Sequence, residues 1–370
     1  MVSKELAGDL SVKKIPAAAW GQATDWRPIG MAAMTVLLFM VGFFVLDLST
    51  AKIMALTITR WPLSADQGGN IQAALASKAE VYIFGSSRAK HHYEPGVIQA
   101  ATNLSVYNAG ADGQDIVYTR LLADLIERHH KPKIYIVNFS FPDVMANRYR
   151  WNRLSVFRIF AEGNPLIKQA LKQADTAFSE LLVTQMIKTY KFNGLLANVW
   201  QIGDGGQRQN NGFDPLDTVY VPAANDKHFK LRKEFDLEAI QQFVGFVRQA
   251  RSKGIAVIFS IGPTYRDFSS FTISFEDWFL LCGIRQMAKE MNVPLIEIPE
   301  ISDPVYRDAT YYADTEHLNR KGAHYYSLQF ARQLIRVLAI HTNDELQHSP
   351  FSSGIAPQEY TIPNSLFQES

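Results

Sequence analysis

The chain has 370 residues, enough for one large domain or two small ones, and 47% of them are apolar, which supplies a substantial core. Its 37 Lys and Arg residues nearly balance its 36 Asp and Glu residues, so it lacks the positive field that holds a nucleic-acid backbone, and we expect no nucleic-acid partner. The single cysteine, Cys282, excludes an intrachain disulfide, a thiolate zinc site and an iron–sulfur cluster.

An uncharged apolar segment runs from Ile29 to Leu46. At about 1.5 Å per residue, a helix of this length spans about 27 Å, close to the hydrocarbon core of a bilayer. We predict a transmembrane helix over residues 29–48 that follows a cytoplasmic tail, residues 1–28, because more basic residues precede the segment than closely follow it. The chain would then cross the inner (cytoplasmic) membrane once, with its main domain in the periplasm. A cleaved signal peptide and a buried core helix are the alternatives.

Five short apolar runs, rich in β-branched and aromatic residues, predict buried strands. Helical patterns alternate with them, so we predict an α/β fold in which a five-stranded parallel sheet is covered by helices on both faces. The predicted strands are Val81–Phe84, Leu104–Tyr107, Ile134–Phe139, Ala256–Ile261 and Pro294–Ile298. The predicted helices are Ile116–Arg128, Leu237–Ser252, Glu276–Met291 and Lys321–Ile340.

The predicted sheet belongs to one extracytoplasmic domain, residues 61–341. A helical and loop-rich insertion, residues 141–235, separates the third and fourth strands, and we interpret it as a cap on the same domain because the sheet resumes after it. Beyond it, residues 342–370 are polar and rich in proline without a periodic pattern, which predicts a flexible tail.

The residues that follow each strand are candidates for a ligand or reaction site, because ligands of open parallel sheets bind at the carboxyl ends of the strands. The first strand is followed by Gly85-Ser86-Ser87-Arg88, a small-residue turn that could expose a hydroxyl group or could simply start a capped helix. After the second strand comes Asn108-Ala109-Gly110-Ala111-Asp112-Gly113, whose glycines let the backbone approach a ligand closely.

An Asp-x-x-His spacing, Asp314 to His317, precedes the terminal helix. In this spacing a carboxylate can accept a hydrogen bond from one imidazole nitrogen, which leaves the other nitrogen free to take a proton from a hydroxyl group such as that of Ser87. The alternative is a pair that serves only a helix N-terminus.

These three motifs resemble blocks I, II and V of the SGNH (GDSL-like) hydrolase superfamily. The resemblance implies a three-layer α/β/α sandwich of the SGNH and flavodoxin type, with Ser87 as nucleophile, His317 as base and Asp314 as the group that orients the base. It further implies an oxyanion hole formed by Gly113 and the backbone N–H of Ser87. The usual block III, Gly-x-Asn-Asp, is not reproduced, and Asn138 near the end of the third strand is the candidate donor there.

The apolar N-terminus and the Gly-Ser-Ser start are similar to the membrane-anchored branch that acts in alginate and cellulose O-acetylation and teichoic acid D-alanylation. This implies an O-acetyltransferase or acetylesterase that acts on an exopolysaccharide or another acylated cell-surface glycan, with a multi-span membrane acyltransferase as partner. We keep two alternatives: a non-catalytic glycan-binding or scaffold protein of a secretion complex, and a lipid esterase with an apolar lid.

Alternating cationic and aromatic residues after the third strand could contact a sugar or could form a solvated surface. The adjacent His91 and His92 point to different faces of a helix, so we expect no metal and no other cofactor. The predicted substrate contacts are Arg88, Asn108, Arg148, Tyr149 and Trp151.

Overall fold

The structure, a computed structural model, describes residues 26–60, 68–139, 143, 147, 150–173, 182–192, 210–222, 236–265, 275–298 and 303–348. The chain divides into two compact units, Met1–Thr50 and Ala51–Ser370. The described part of the first unit is helical from Arg27 onward, and the second unit holds the sheet and its helices.

Helix α1, Arg27–Arg60, contains the apolar segment that the sequence singles out. The most apolar 18 residues within its stretch Arg27–Thr57 have a mean hydropathy of 2.5, and none of those 18 is buried. By length and composition this helix could cross a membrane. The predicted N-terminal apolar helix is therefore confirmed, and it is longer than predicted because the helix continues past residue 48.

A five-stranded parallel sheet forms the centre of the second unit, and its strand order is β2-β1-β3-β4-β5. Three strands begin where the apolar runs predict, and the other two are shorter or displaced by one or two residues. The predicted α/β class with five parallel strands is thus confirmed. The strands are β1 Val81–Phe84, β2 Val106–Asn108, β3 Ile134–Asn138, β4 Ala256–Ile261 and β5 Leu295–Glu297.

Alternate strand residues face two separate apolar layers, because successive side chains of a strand point to opposite faces. In β1, Tyr82 and Phe84 pack into one layer, whereas Val81 and Ile83 pack into the other. All four side chains are fully buried. Both faces of the sheet are therefore covered, which explains why its strands are continuous apolar runs.

The helices of the second unit cover the two faces. Helices α5 (Ile116–Ile126) and α7 (Leu237–Ser252) contribute to the layer of Tyr82. Helices α4 (Pro95–Thr102) and α9 (Arg320–His348) contribute to the layer of Val81. The terminal helix continues to His348, so the predicted tail starts as helix, and residues 349–370 lie outside the described residues. The helices are α2 Gly69–Ala76, α3 Ser87–His92, α4 Pro95–Thr102, α5 Ile116–Ile126, α6 Pro165–Leu171, α7 Leu237–Ser252, α8 Phe275–Glu290 and α9 Arg320–His348.

A buried ion cluster joins the starts of two of these helices. Asp115 caps α5 by accepting from the Val117 N–H, and Asp236 caps α7 in the same way. The Arg150 guanidinium, 1% exposed, donates to Asp115 at 2.8 Å and to Asp236 at 3.2 Å. We call these three residues the Arg150 cluster. It holds the backbone that follows β3 against the helical layer.

Candidate active site

The turn after β1 places Ser87 at the first residue of α3. Gly85 adopts a φ of +145°, and a Cβ atom there would lie 2.8 Å from the backbone oxygen of Asn138. Only glycine fits this position, so the chain can turn sharply from strand to helix. Ser86, at the N-cap, makes no side-chain capping bond, and the simple capped-helix interpretation of this turn therefore finds no support.

A chain of hydrogen bonds connects Ser87, His317 and Asp314. The Ser87 Oγ lies 2.7 Å from the His317 Nε2, and the His317 Nδ1 lies 2.8 Å from the Asp314 Oδ2. Ser87 and His317 are separated by 230 positions in the chain. This is the order of contacts that a serine nucleophile, a base and an orienting carboxylate require.

Asp314 has a second role in the turn before α9. Its Oδ1 accepts from the backbone N–H groups of Glu316 at 2.7 Å and His317 at 2.9 Å. Burial alone would raise the pKa of Asp314, but the hydrogen bonds from His317 and Glu316 outweigh it and hold the pKa below its ordinary value. The carboxylate therefore stays ionised near neutral pH and orients both the imidazole and the backbone that carries it.

His92 holds the same backbone through a hydrogen bond. Its Nε2 accepts a hydrogen bond from the Leu318 N–H at 3.0 Å, and its ring centroid lies 6.3 Å from that of His317. Burial lowers the pKa of His92 well below its ordinary value, and the charges of His317 and Arg88 lower it further. His92 is thus a neutral acceptor. This role of His92 was not predicted from the sequence, although its position soon after the Ser87 turn is a signal that could have indicated it.

An ionic group also lies beside the His317 imidazole. The ring centroid of His91 lies 5.5 Å from that of His317, and its Nε2 lies 3.3 Å from the Asp112 Oδ1. Lys90 pairs with Asp112 at 2.7 Å and with Asp214 at 2.9 Å. Burial would raise the pKa of Asp112, but hydrogen bonds from His91 and Lys90 reverse that effect and lower the pKa. These contacts hold the insertion residue Asp214 beside α3.

The glycine-containing loop after β2 packs directly against α3. A Cβ atom on Gly110 would lie 2.5 Å from the backbone nitrogen of Lys90, so only glycine allows the loop to approach α3 this closely. Asn108 is buried, and its amide donates to the backbone oxygens of Ala89 at 2.7 Å and Tyr93 at 2.9 Å. The amide group of Asn108 is thus used by the backbone of α3 and the turn beyond it, and its predicted substrate contact stays a prediction.

Gly113 lies in the exposed part of this loop and has a φ of +63°. The Arg153 guanidinium covers it, since a Cβ atom on Gly113 would lie 2.8 Å from the Arg153 Nη1. Asp112, which precedes it, lies beside the Lys90 and His91 side chains. The assignment of the Gly113 N–H to an oxyanion hole stays a prediction.

The side chain of Asn138 belongs to a buried polar network. Its Nδ2 donates to the Tyr93 hydroxyl at 2.8 Å, and that hydroxyl lies 2.7 Å from the Ser260 Oγ and 2.9 Å from the Tyr326 hydroxyl. Asn138 is 2% exposed. As the side chain stands, the predicted oxyanion donor is engaged in the interior, so this geometry does not support that prediction.

The residues of the cationic and aromatic segment after β3 differ in what the structure shows of them. Arg148 and Tyr149 lie outside the described residues. The indole N–H of Trp151 donates to Glu238 at 2.9 Å, and its ring packs against the core, which does not support a sugar contact. Arg150 belongs to the buried Arg150 cluster, a role that neither sequence interpretation of this segment foresaw.

Arg88 is 7% exposed and directly follows Ser87. Among the residues that the structure describes, it makes no hydrogen bond and no ion pair. Within those same residues, no group of three or more His, Cys, Asp or Glu side chains is arranged to hold a metal ion. Of the predicted substrate contacts, Arg88 is thus the one that the described residues leave available for a ligand.

No family model and no curated protein sequence matches the chain. Among solved structures, it is similar to a protein described as lipolytic, of the G-D-S-L family, from Desulfitobacterium hafniense, with 12% identity over 68% of this chain and 97% of that chain and a TM-score of 0.33. It is similar to a Bacillus subtilis protein, with 16% identity over 71% of this chain and 58% of that chain and a TM-score of 0.35. A gut microbial diltiazem-metabolizing enzyme shows 10% identity over 71% of this chain and 47% of that chain, also with a TM-score of 0.35.

Proposed function

We propose that the chain is a membrane-anchored serine acyl-transfer enzyme of the SGNH type. In this proposal it acts as an O-acetyltransferase or acetylesterase on an exopolysaccharide or cell-envelope glycan. The supporting observation is the hydrogen-bonded row from Asp314 through His317 to Ser87, with both short contacts at the imidazole. A serine hydroxyl becomes a strong nucleophile when a neighbouring base takes its proton, and this row supplies that base.

The first half of the reaction forms an acyl-enzyme. The Ser87 Oγ attacks the ester carbonyl while its proton moves to the His317 Nε2, and the carbonyl oxygen becomes an oxyanion. The tetrahedral intermediate then breaks its bond to the leaving oxygen, which takes the proton back from His317. Asp314 stabilises the imidazolium that exists between these steps. The Ser87 backbone N–H, at the start of α3 where no intrahelical acceptor exists, supplies one oxyanion donor, and the Gly113 N–H is the second.

The second half returns the enzyme to its starting state. A water molecule or a sugar hydroxyl attacks the acyl carbonyl, and His317 takes the proton of the attacking oxygen. The tetrahedral intermediate then breaks its bond to the Ser87 Oγ, and this oxygen takes the proton from His317. Water gives an esterase, and a sugar hydroxyl gives a transferase. The row of three residues is the same in both reactions, so exclusion of water from the acceptor site decides between them.

The test is hydrolysis of para-nitrophenyl acetate by the full chain in detergent micelles, with Ser87→Ala as the matched variant. We expect the variant to lose about a thousandfold or more in kcat, because the nucleophile is absent. A fluorophosphonate probe should label the wild-type protein at Ser87, since only an activated serine reacts with it. Adding acetylated and unacetylated oligosaccharides then separates hydrolysis from transfer.

Equal turnover by the Ser87→Ala variant would contradict the assignment of the nucleophile. Absence of both turnover and labelling would favour the non-catalytic glycan-binding alternative. Thermal unfolding of both proteins, measured in parallel, should coincide, because Ser87 lies at a helix start and its side chain makes one hydrogen bond, to His317, within the described part of the chain.

The location of the chain forms part of the proposal. We propose that α1 crosses the inner membrane once, with the N-terminus in the cytoplasm and the second unit in the periplasm. A multi-span membrane acyltransferase would supply the acyl group from the other side. Alkaline phosphatase fused after Arg60 is active only if it reaches the periplasm, so an inactive fusion would contradict the proposed orientation.

Exposed apolar side chains in the insertion favour a second candidate, a lipid esterase. Met186 is 74% exposed and Leu182 is 46% exposed, in the helical stretch 182–186. Apolar groups at a surface are typical of contacts with lipid or with another protein. Faster hydrolysis of long-chain glycerol esters than of acetylated glycans would favour this candidate.

A further inference from the structure

The arginine that follows the nucleophile is buried without a counter-charge in the described part of the chain. Arg88 is 7% exposed, and no carboxylate among the described residues pairs with it. Arginine stays protonated in proteins, so this side chain carries a positive charge. Within the described part of the chain, none of its guanidinium nitrogens is an enclosed atom without a partner, so the charged end is accessible while most of the side chain is buried, and an anionic group of a ligand could pair with it.

The helix that carries Arg88 directs it toward the ligand-binding edge of the sheet. Arg88 and His92 are four residues apart on α3 and so share one face of the helix. A Cβ atom on Gly262, directly after β4, would lie 3.4 Å from the His92 Nδ1. This face of α3 is thus turned toward the carboxyl ends of the strands, where ligands of parallel sheets bind.

Electrostatic effects on two neighbours support this placement. Burial lowers the pKa of His92, and the Arg88 charge is one of the groups that lower it further. Burial raises the pKa of Tyr93, whereas the Arg88 charge acts in the opposite direction. The guanidinium therefore lies near both side chains, with neither of them able to neutralise it.

We propose that Arg88 forms a subsite for an oxyanionic group, a carboxylate or a phosphate, carried by the substrate of Ser87. The planar guanidinium matches the two oxygens of such a group. Because Arg88 is adjacent to the nucleophile in sequence, the anion would lie near the ester that reacts. The inference rests on the proposed function and adds to it the substrate class: acidic esters rather than neutral ones.

The experiment uses the full chain in detergent micelles and a matched pair of esters, meta-acetoxybenzoate and the neutral meta-acetoxybenzamide. We expect the wild-type protein to prefer the benzoate in kcat/KM. Arg88→Gln should lower kcat/KM for the benzoate by about ten- to a hundredfold, the range of a charge-assisted hydrogen bond, and should change the benzamide value by less than about threefold. Substituting meta-acetoxyphenyl phosphate for the benzoate tells a phosphate subsite from a carboxylate subsite.

Two further variants make the result specific. Arg88→Lys keeps the charge but loses the planar fork, so we expect an intermediate preference. Arg248→Gln removes the same charge from the exposed side of α7 and should leave both esters unaffected. An equal loss on both esters in Arg88→Gln, or no loss on either, would overturn the subsite.

Failure of the proposed function can be recognised separately. If no ester is hydrolysed and the fluorophosphonate probe does not label Ser87, the serine chemistry is absent, and the subsite is then tested by binding of benzoate and phenyl phosphate in calorimetry. Binding that disappears in Arg88→Gln but persists in Arg248→Gln supports an anion site without catalysis. Absence of binding to the wild-type protein overturns the inference.

Discussion

Two buried arginines of this chain illustrate how the same side chain serves structure in one region and remains available for a ligand in another. Arg150, 1% exposed, contacts two carboxylates, and both of those carboxylates also cap helices. Arg88, 7% exposed, directly follows the nucleophile and has no such partner among the described residues. Burial alone therefore does not distinguish the two roles. The pairing of the guanidinium with carboxylates does distinguish them.

The same contrast holds for the polar groups around them. The Arg150 cluster is enclosed, and burial raises the pKa of Asp115 to about 6 even though the Arg150 charge lowers it. Asp314 is half exposed on its side chain, and its hydrogen bonds keep its pKa low. The charged groups of the Arg150 cluster thus pair with one another. The row from Asp314 through His317 instead ends at the Ser87 hydroxyl, which can react with a substrate. Substitutions on the two sides should separate stability from activity.

The largest effect is expected at the base of the row. His317→Ala should lower kcat by about a thousand- to ten-thousandfold, because the Ser87 proton then has no acceptor. Thermal unfolding should change little, since the ring is partly exposed. His324→Ala, which removes an exposed imidazole from α9, serves as the control and should keep full activity. A fully active His317→Ala variant would refute the row as catalytic machinery.

Removal of the structural arginine should affect stability instead. Arg150→Met leaves Asp115 and Asp236 without their counter-charge, and we expect a loss of about 3–5 kcal/mol in the free energy of unfolding. Urea unfolding of the full chain in micelles measures this loss. Arg248→Met on the exposed side of α7 should cost less than about 0.5 kcal/mol. Activity per folded molecule should remain, and unchanged stability would show that the Arg150 cluster is not structural.

A smaller effect is expected at the orienting carboxylate. Asp314→Asn keeps an oxygen for the Glu316 and His317 N–H groups but no longer stabilises the imidazolium, so kcat should fall by about a hundred- to ten-thousandfold. Asp308→Asn is a matched control, because Asp308 likewise accepts from a backbone N–H, that of Thr310, outside the row. Full activity of Asp314→Asn would assign Asp314 to the turn alone.

The smallest effect concerns the pH dependence of stability. The pKa of His92 is lower in the folded chain than its ordinary value of 6.5, so the unfolded chain binds a proton more readily. The contribution of His92 is therefore fully present above about pH 6.5 and declines as pH falls, by about 1.4 kcal/mol per pH unit. Urea unfolding of His92→Gln should show a flatter profile between about pH 6.5 and pH 5. His129→Gln, on an exposed histidine, should retain the wild-type slope, and an identical slope in His92→Gln would contradict the buried neutral state.

Local pattern was sufficient for most of the fold. The strands β1 and β4 and the helix α7 have the bounds that their apolar runs and turn residues predict, because a strand buried on both faces must be apolar throughout. The short edge strands β2 and β5 shifted, since pairing with one neighbour leaves their ends less constrained. The terminal helix continued to His348 beyond its apolar pattern.

The candidate site was predictable only in part. Ser87, Asp314 and His317 stood out because each lies in a short motif at a predicted strand end or helix start. Asn108 and Asn138 stood in comparable places, yet their amides are used inside the protein. Amide side chains donate and accept with equal ease, so a sequence position cannot tell a ligand contact from an internal one.

By itself the sequence determined the apolar N-terminal helix, the parallel α/β sheet and the chemical types gathered at its carboxyl edge, because hydrophobic periodicity and turn residues act over short stretches of chain. Only the tertiary structure decided that His92 holds the Leu318 backbone, that Arg150 pairs with two carboxylates, and that Arg88 pairs with none of the described residues. These outcomes depend on contacts between residues far apart in the chain, whose distances no local pattern encodes.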